Sequence, residues 1–148
     1  MARTLTQTEA RGFIAAHKLG HLACITNNQP YVVPINYIFT EGEIYSHSLP
    51  GLKIDAMRAQ PRVCLQVEQI EDNFNWRSVV AYGAFEEINV PSERNDVLGK
   101  LLAEFPLLTP VESLLANDGG APDSVVFRIV VDRLTGVAEE SVKELWKV

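Results

Sequence analysis

The sequence has no uninterrupted apolar run approaching the ~18 residues that a membrane-spanning helix requires. Its first residues, MARTLTQTEARGF, contain no apolar stretch of the kind a secretory signal carries. A cytoplasmic location is the expectation that follows. Cysteine is scarce: Cys24 and Cys64 are the only two in 148 residues, with neither CxxC spacing nor the density of a disulfide scaffold. Both are expected as buried free thiols in apolar strands. The three histidines, His17, His21 and His47, are too scattered for a zinc site, because Gly20 breaks the helix that would align the first two. No GxGxxG follows a strand, Gly99-Lys100 lacks the Walker spacing, and no Gly-x-Ser-x-Gly elbow is present. A net charge of −6 with a pI near 5.0 gives no general basic field for nucleic acid, so any anion site must be local.

What the sequence does have is apolar material in short, punctuated runs. The length suits one domain, and the 47% hydrophobic content can fill its core, so residues 1–148 are read as a single unit. A short helix is expected over Thr8–His17, with Thr6 or Thr8 as cap, Glu9 in its first turn and Phe13 and Ile14 on its apolar side. Strands are expected over His21–Thr26 and Tyr31–Thr40 around the turn residues Asn27-Asn28-Gln29-Pro30, then over Glu43–Ser48 after Glu41-Gly42. Leu52–Ala59 has helical composition and is closed by Pro61. Arg62–Val67 alternates as a strand, Gln69–Asn75 reads as a polar loop, and Trp76–Ile88 is a long strand with apolar groups on both faces. Pro91 opens a helix to about Phe105, Leu107–Asn117 is read as a second short helix, and Ser124–Val131 is a strand that continues over Leu134–Val137 after a bend. Glu139–Val148 forms a weakly amphipathic tail. Six short strands joined by hairpin-length connections favour a mainly β protein, an antiparallel barrel with flanking helices.

The segment with the most chemistry is SHSLPGLK, Ser46–Lys53. It leaves a strand and enters a helix, placing hydroxyls, a Pro-Gly turn and an ammonium beside free amide N–H groups, which together suit a phosphate. The same residues also fit a plainer reading, in which Ser48 caps the helix and Lys53 is solvated. The local pattern alone leaves both open.

The order of pieces around that segment carries a resemblance. The stretch GHLACITNNQPYVVPINYIFTEGEIYSHSLPGLKIDAMRAQPRVCLQV, followed by WRSVVAYGAFEEI, resembles the pyridoxamine 5′-phosphate oxidase-like FMN-binding split-barrel proteins, especially the nitroimidazole-resistance branch. It spans about Leu19 to Ile88. The resemblance implies a six-stranded antiparallel split β-barrel that binds FMN in a groove between the two subunits of a homodimer. It further implies that Val33, Pro34, Ile35 and Asn36 border the ring system, and that Ser46, His47 and Ser48 lie beside the flavin and its ribityl chain. Lys53 would meet the phosphate, with Trp76, Arg77 and Ser78 contributing from a later strand. Trp76 is equally a barrel or interface aromatic.

The C-terminal stretch SVKELWKV lacks the arginine-rich pattern of true pyridoxamine 5′-phosphate oxidases, which argues against that substrate. In the nitroimidazole-resistance branch a histidine at the position of His47 is associated with the reactive site. A near-neutral imidazole there suits proton delivery during reduction, although the same residue can contact flavin without chemistry. The expected function is therefore an FMN-dependent oxidoreductase that takes electrons from a nicotinamide donor or another protein and reduces a small aromatic or nitro-substituted acceptor. The alternative is a non-catalytic flavin- or haem-binding protein with His47 or His21 as axial ligand. A deazaflavin-using relative ranks below both, because Lys53, Arg58 and Arg62 make only a modestly basic groove. No metal, membrane or nucleic-acid partner is expected.

Overall fold

A computed structural model describes residues 1–105 and 124–141. The expected short helix at Leu107–Asn117 and most of the expected tail lie outside these residues. The elements run β1 (Ala2–Thr4), α1 (Gln7–Ala16), β2 (Leu19–Thr26), β3 (Gln29–Asn36), β4 (Ile38–Thr40), β5 (Glu43–Ser48), α2 (Leu52–Ala59), β6 (Arg62–Asp72), β7 (Asn75–Glu87), α3 (Pro91–Glu104) and β8 (Val125–Glu139). Among the described residues no helix is long and apolar enough to cross a membrane.

Local chemistry sets the boundaries. Helix α1 starts with a reciprocal cap: Thr6 Oγ1 accepts from the Glu9 amide at 3.1 Å, and the Glu9 carboxylate accepts from the Thr6 amide at 3.0 Å. The β2–β3 hairpin turns at Asn27 and Asn28, both with positive φ (49° and 60°), and the β4–β5 hairpin at Glu41 and Gly42 (54° and 78°). Two successive left-handed residues match the right-handed twist of the flanking strands, and Asn and Gly adopt that conformation most readily.

The strands form one antiparallel sheet in the order β3-β2-β6-β7-β8-β5-β4, with β1 paired to the far part of β8. Its two edge strands, β3 and β4, are consecutive in the chain and joined through Tyr37 alone. The sheet thus curls until its edges nearly meet but do not pair, which is the split of the barrel. Tyr37 is fully buried there; its hydroxyl donates to the Ile14 carbonyl at 2.6 Å and its amide to the Lys18 carbonyl at 2.9 Å. Burial pushes the Tyr37 phenol well above its ordinary value.

The architecture is the expected mainly β split barrel, with eight strands among the described residues where six were expected. A three-residue N-terminal strand pairs with β8, where Ala2–Thr4 carried no apolar alternation to reveal it. The single strand expected over Tyr31–Thr40 is two, because Tyr37 crosses the split. The polar loop expected over Gln69–Asn75 is largely strand: β6 and β7 continue as a hairpin arm past the core, with Ile70 paired to Trp76. A ladder needs only backbone groups, so polar side chains on both faces do not prevent it. The expected bend in the last strand is a bulge that leaves Asp132 out of register opposite Tyr82 and Gly83, within one continuous β8. Beside it, a Cβ on Gly83 would lie 2.3 Å from the Val130 carbonyl oxygen, so only glycine allows β7 and β8 to approach there.

Alternate residues of the strands face inward. Leu22, Cys24, Leu65, Val67, Val79, Ala81, Phe127 and Ile129 fill the barrel, with Ile14 of α1 and Ile54 and Met57 of α2 joining the same cluster. A smaller cluster lies outside, where Val97 and Leu101 of α3 cover Tyr45 and Val126 on β5 and β8. Arg128 pins this layer, pairing with Glu86 at 3.1 Å and with Glu93 of α3. Burial opposes its charge, but the bonds to Glu93 and Tyr45 outweigh that and keep the guanidinium firmly protonated.

Candidate functional site

Strand β5 and the turn after it meet the end of β3 at the split. Ser46 is buried, and its hydroxyl donates to the Asn36 carbonyl at 2.6 Å, tying the third and fifth strands across the gap. Val33, Pro34, Ile35 and Asn36 therefore lie beside Ser46, as the sequence suggested. Pro34 sits on an edge strand whose partner on the other side is β2 alone, so its missing N–H costs no ladder bond.

Alternation divides the Ser-His-Ser segment. Ser46 and Ser48 pair in register with Phe127 and Val125 of the inner cluster, whereas His47 pairs with Val126 on the outer face shared with Tyr45. Only one of the two faces can touch a given ligand plane. The three residues are neighbours along one edge, not three contacts to one surface.

Helix α2 begins directly after this edge. Its N-cap residue is Gly51, with extended backbone, and no side chain caps it. The capping role considered for Ser48 is not taken up: its hydroxyl donates instead to the Leu49 carbonyl at 2.9 Å. A Cβ built on Gly51 meets nothing within 4 Å, so the space beside the start of this helix is open. Lys53 stands in that turn. Burial pushes the Cys24 thiol up, and the Lys53 ammonium partly offsets this. Uncapped amides, an ammonium and open space together form a fitting cradle for a phosphate.

Trp76, Arg77 and Ser78 are not brought to this cradle. Trp76 pairs with Glu139 at one end of β8, while Ser48 pairs with Val125 at the other end; β8 is 15 residues, about 45–50 Å of extended chain. Trp76 and Arg77 instead line a separate cavity of about 300 Å³ with Glu71, Glu139 and Glu140.

Ser78 belongs to a row that sequence reasoning did not assemble. On the outer face of β2, β6 and β7, Gln66 links His21 to Ser78: the His21 Nδ1 to Gln66 Oε1 distance is 3.2 Å, and Gln66 Nε2 donates to Ser78 Oγ at 3.0 Å. His21 is in turn the cross-strand partner of Pro34, so the row reaches the edge strand. The period-two pattern of each strand was readable, but which strands lie side by side was not. Cys64 lies on this outer face and is only half-buried, correcting the expectation of two buried thiols; Cys24 is buried.

The family profile for pyridoxamine 5′-phosphate oxidase matches residues 6–138. The chain belongs to that family. A Mesorhizobium loti protein described as FAD-binding is 31% identical, covering 95% of this chain and 98% of that one with a TM-score of 0.76. A Bacteroides thetaiotaomicron protein described as a candidate 5-nitroimidazole antibiotic resistance protein shares the fold, with a TM-score of 0.73 at 19% identity over 93% of this chain and 87% of that one. An uncharacterized protein of Rhizobium meliloti is 42% identical over 86 residues, 58% of this chain. The match spans 57% of that relative's length.

Proposed function

We propose that the protein is a flavoprotein, binding FMN or a larger flavin with its phosphate at the start of α2 and its ring along β3 and β5, and acting as a homodimer in the reduction of a small aromatic or nitro-substituted acceptor. The observation that carries this reading is the uncapped, open first turn of α2 at Gly51–Lys53, set beside the β3–β5 edge. Family membership and the FAD-binding relative support a flavin there. A second copy of the chain fits the position of Trp76, Arg77 and Ser78, which no single subunit can bring to the α2 turn. It also fits the outer face of the sheet, where Leu19, Val32 and Val137 are 60%, 58% and 41% exposed.

In this reading the chain supplies placement. The first-turn amides of α2 and Lys53 Nζ hold the phosphate, Pro34 leaves an edge position without a donor so that a flat ring can lie close, and Ser46 fixes the edge geometry through Asn36. Bound flavin would supply the electron-transfer chemistry. His47, on the outer face, is the group placed to give a proton from a ring nitrogen to an acceptor at that side.

Fluorescence titration of apoprotein with FMN tests the cradle. Lys53→Met is expected to weaken binding by roughly 1.5–3 kcal/mol, the worth of a charge-assisted bond to phosphate. Equal affinity in both proteins would move the phosphate elsewhere. Anaerobic reduction by a nicotinamide followed by a nitroaromatic tests the enzyme: reoxidation by the acceptor is expected, and a flavin that no donor reduces would make the protein a carrier.

A further inference from the structure

On the opposite flank of α2 from Lys53 lies a second polar cleft, of about 340 Å³, walled by the ends of four elements. Pro50, in the turn before α2, forms one lip; Arg58 at the end of α2, Asn89 after β7, Arg94 in the first turn of α3, and Ser124 before β8 complete it. Lys53 and Arg58 are five positions apart on a helix, roughly 140° around its axis, so they leave it on different sides, with Arg58 bonded to Glu87 at the end of β7. The cleft is therefore separate from the cradle at Gly51–Lys53, although Pro50 borders both.

Its donors are only partly used. Arg58 gives its Nε to Glu87, and Arg94 gives one Nη to the Ser124 carbonyl at 2.7 Å. Among the described residues, each guanidinium retains further N–H groups that make no hydrogen bond. Glu93, the acidic residue in the first turn of α3, is drawn to Arg128. Arg58 is bonded to Glu87 and also feels Asp55 of its own helix, whereas Arg94 is held by a neutral carbonyl and has no ion pair among the described residues. Half-used planar forks suit an oxyanion that accepts two N–H bonds from each.

We infer that this cleft binds the phosphate or pyrophosphate group of a nucleotide, with Arg58 and Arg94 as its two cationic contacts. The cleft itself does not depend on the flavin reading; only the source of the phosphate does. Two sources share the chemistry. One is the adenylate half of FAD, whose first phosphate would sit at Lys53 and whose remainder would pass Pro50 into the cleft. The other is a separate nucleotide bound beside FMN.

Calorimetric titration with inorganic pyrophosphate tests the site in wild type, Arg94→Gln, Asn89→Asp and Lys53→Met. Arg94→Gln removes the charge while keeping a donor for Ser124, and Asn89→Asp adds a repelling charge to the wall of the cleft. Saturable binding is expected in wild type and Lys53→Met, weakened about tenfold or more by either cleft variant. No saturable binding, or binding lost in Lys53→Met and untouched in the cleft variants, would overturn the proposal. Comparison of FAD with FMN then assigns the source. A preference for FAD that Arg94→Gln abolishes places the adenylate in the cleft. Equal affinities, with pyrophosphate still binding the FMN-loaded protein, indicate a separate nucleotide. If no flavin binds but pyrophosphate does, the functional reading fails and the cleft stands.

Discussion

Leu22 and His21 are consecutive residues of one strand, yet they belong to two different kinds of surface. Leu22 has no exposure and packs among Leu65, Val79 and Phe127 inside the barrel, whereas His21 stands outside in a polar row with Gln66 and Ser78. The inner face is apolar, closed and shared by two helices; the outer face of β2, β6 and β7 is mixed, half-exposed and bordered by Pro34. Burial makes the inner face specify the fold, and the outer face is thereby left free to carry recognition.

That comparison can be broken at several points. Phe127 has no exposure at the centre of the inner cluster, so Phe127→Ala should cost about 3–5 kcal/mol in chemical unfolding. A much smaller loss would mean that the inner face is not tightly packed. Tyr37→Phe should cost about 1–3 kcal/mol, because the Ile14 carbonyl at the split would lose its buried donor. Gln66→Ala, on the outer face, should change stability by less than about 1 kcal/mol while altering the environment of Ser78 and His21. Val137→Asp should leave the fold intact and convert the proposed dimer to monomers in sedimentation; a wild-type dimer that the variant leaves unchanged would place the interface elsewhere.

Acid should have the smallest effect and a defined sign. The Thr6 amide, then Arg3, hold the Glu9 carboxyl below its usual range, and Arg62 does the same for Asp132 beside the β8 bulge. Groups lowered in the folded state contribute stability above the ordinary carboxylate value near 4, and that contribution fades as pH falls through their lowered values. Asp132 is exposed and Glu9 is still well solvated, so Glu9→Gln should flatten the decline in melting temperature below pH 4 only slightly.

Much of this organisation was legible in the residues. Asn27-Asn28 and Glu41-Gly42 gave both hairpins, Leu52–Ala59 is helical over the span that its composition suggested, and Ser46–Lys53 marked the strand-to-helix turn that now holds the open first turn of α2. Composition misled where backbone pairing overrides side-chain polarity, as in the hairpin arm at Gln69–Asn75. It was silent where distant elements meet. Nothing local joins His21 to Gln66, or Arg58 to Arg94, since only sheet order and helix packing bring them together. Ser46, His47 and Ser48 are adjacent in sequence, but the strand turns alternate residues to opposite faces, with Ser46 and Ser48 on one and His47 on the other.

Flavin binding by this protein stands or falls at the open turn at Gly51. The visible spectrum of the purified protein, recorded before and after saturation with FMN and again in Lys53→Met, tests it most directly. A flavin band that is perturbed on binding to wild type and much weakened in the variant is the expected result. A wild-type protein that leaves the spectrum of added FMN unchanged would contradict it.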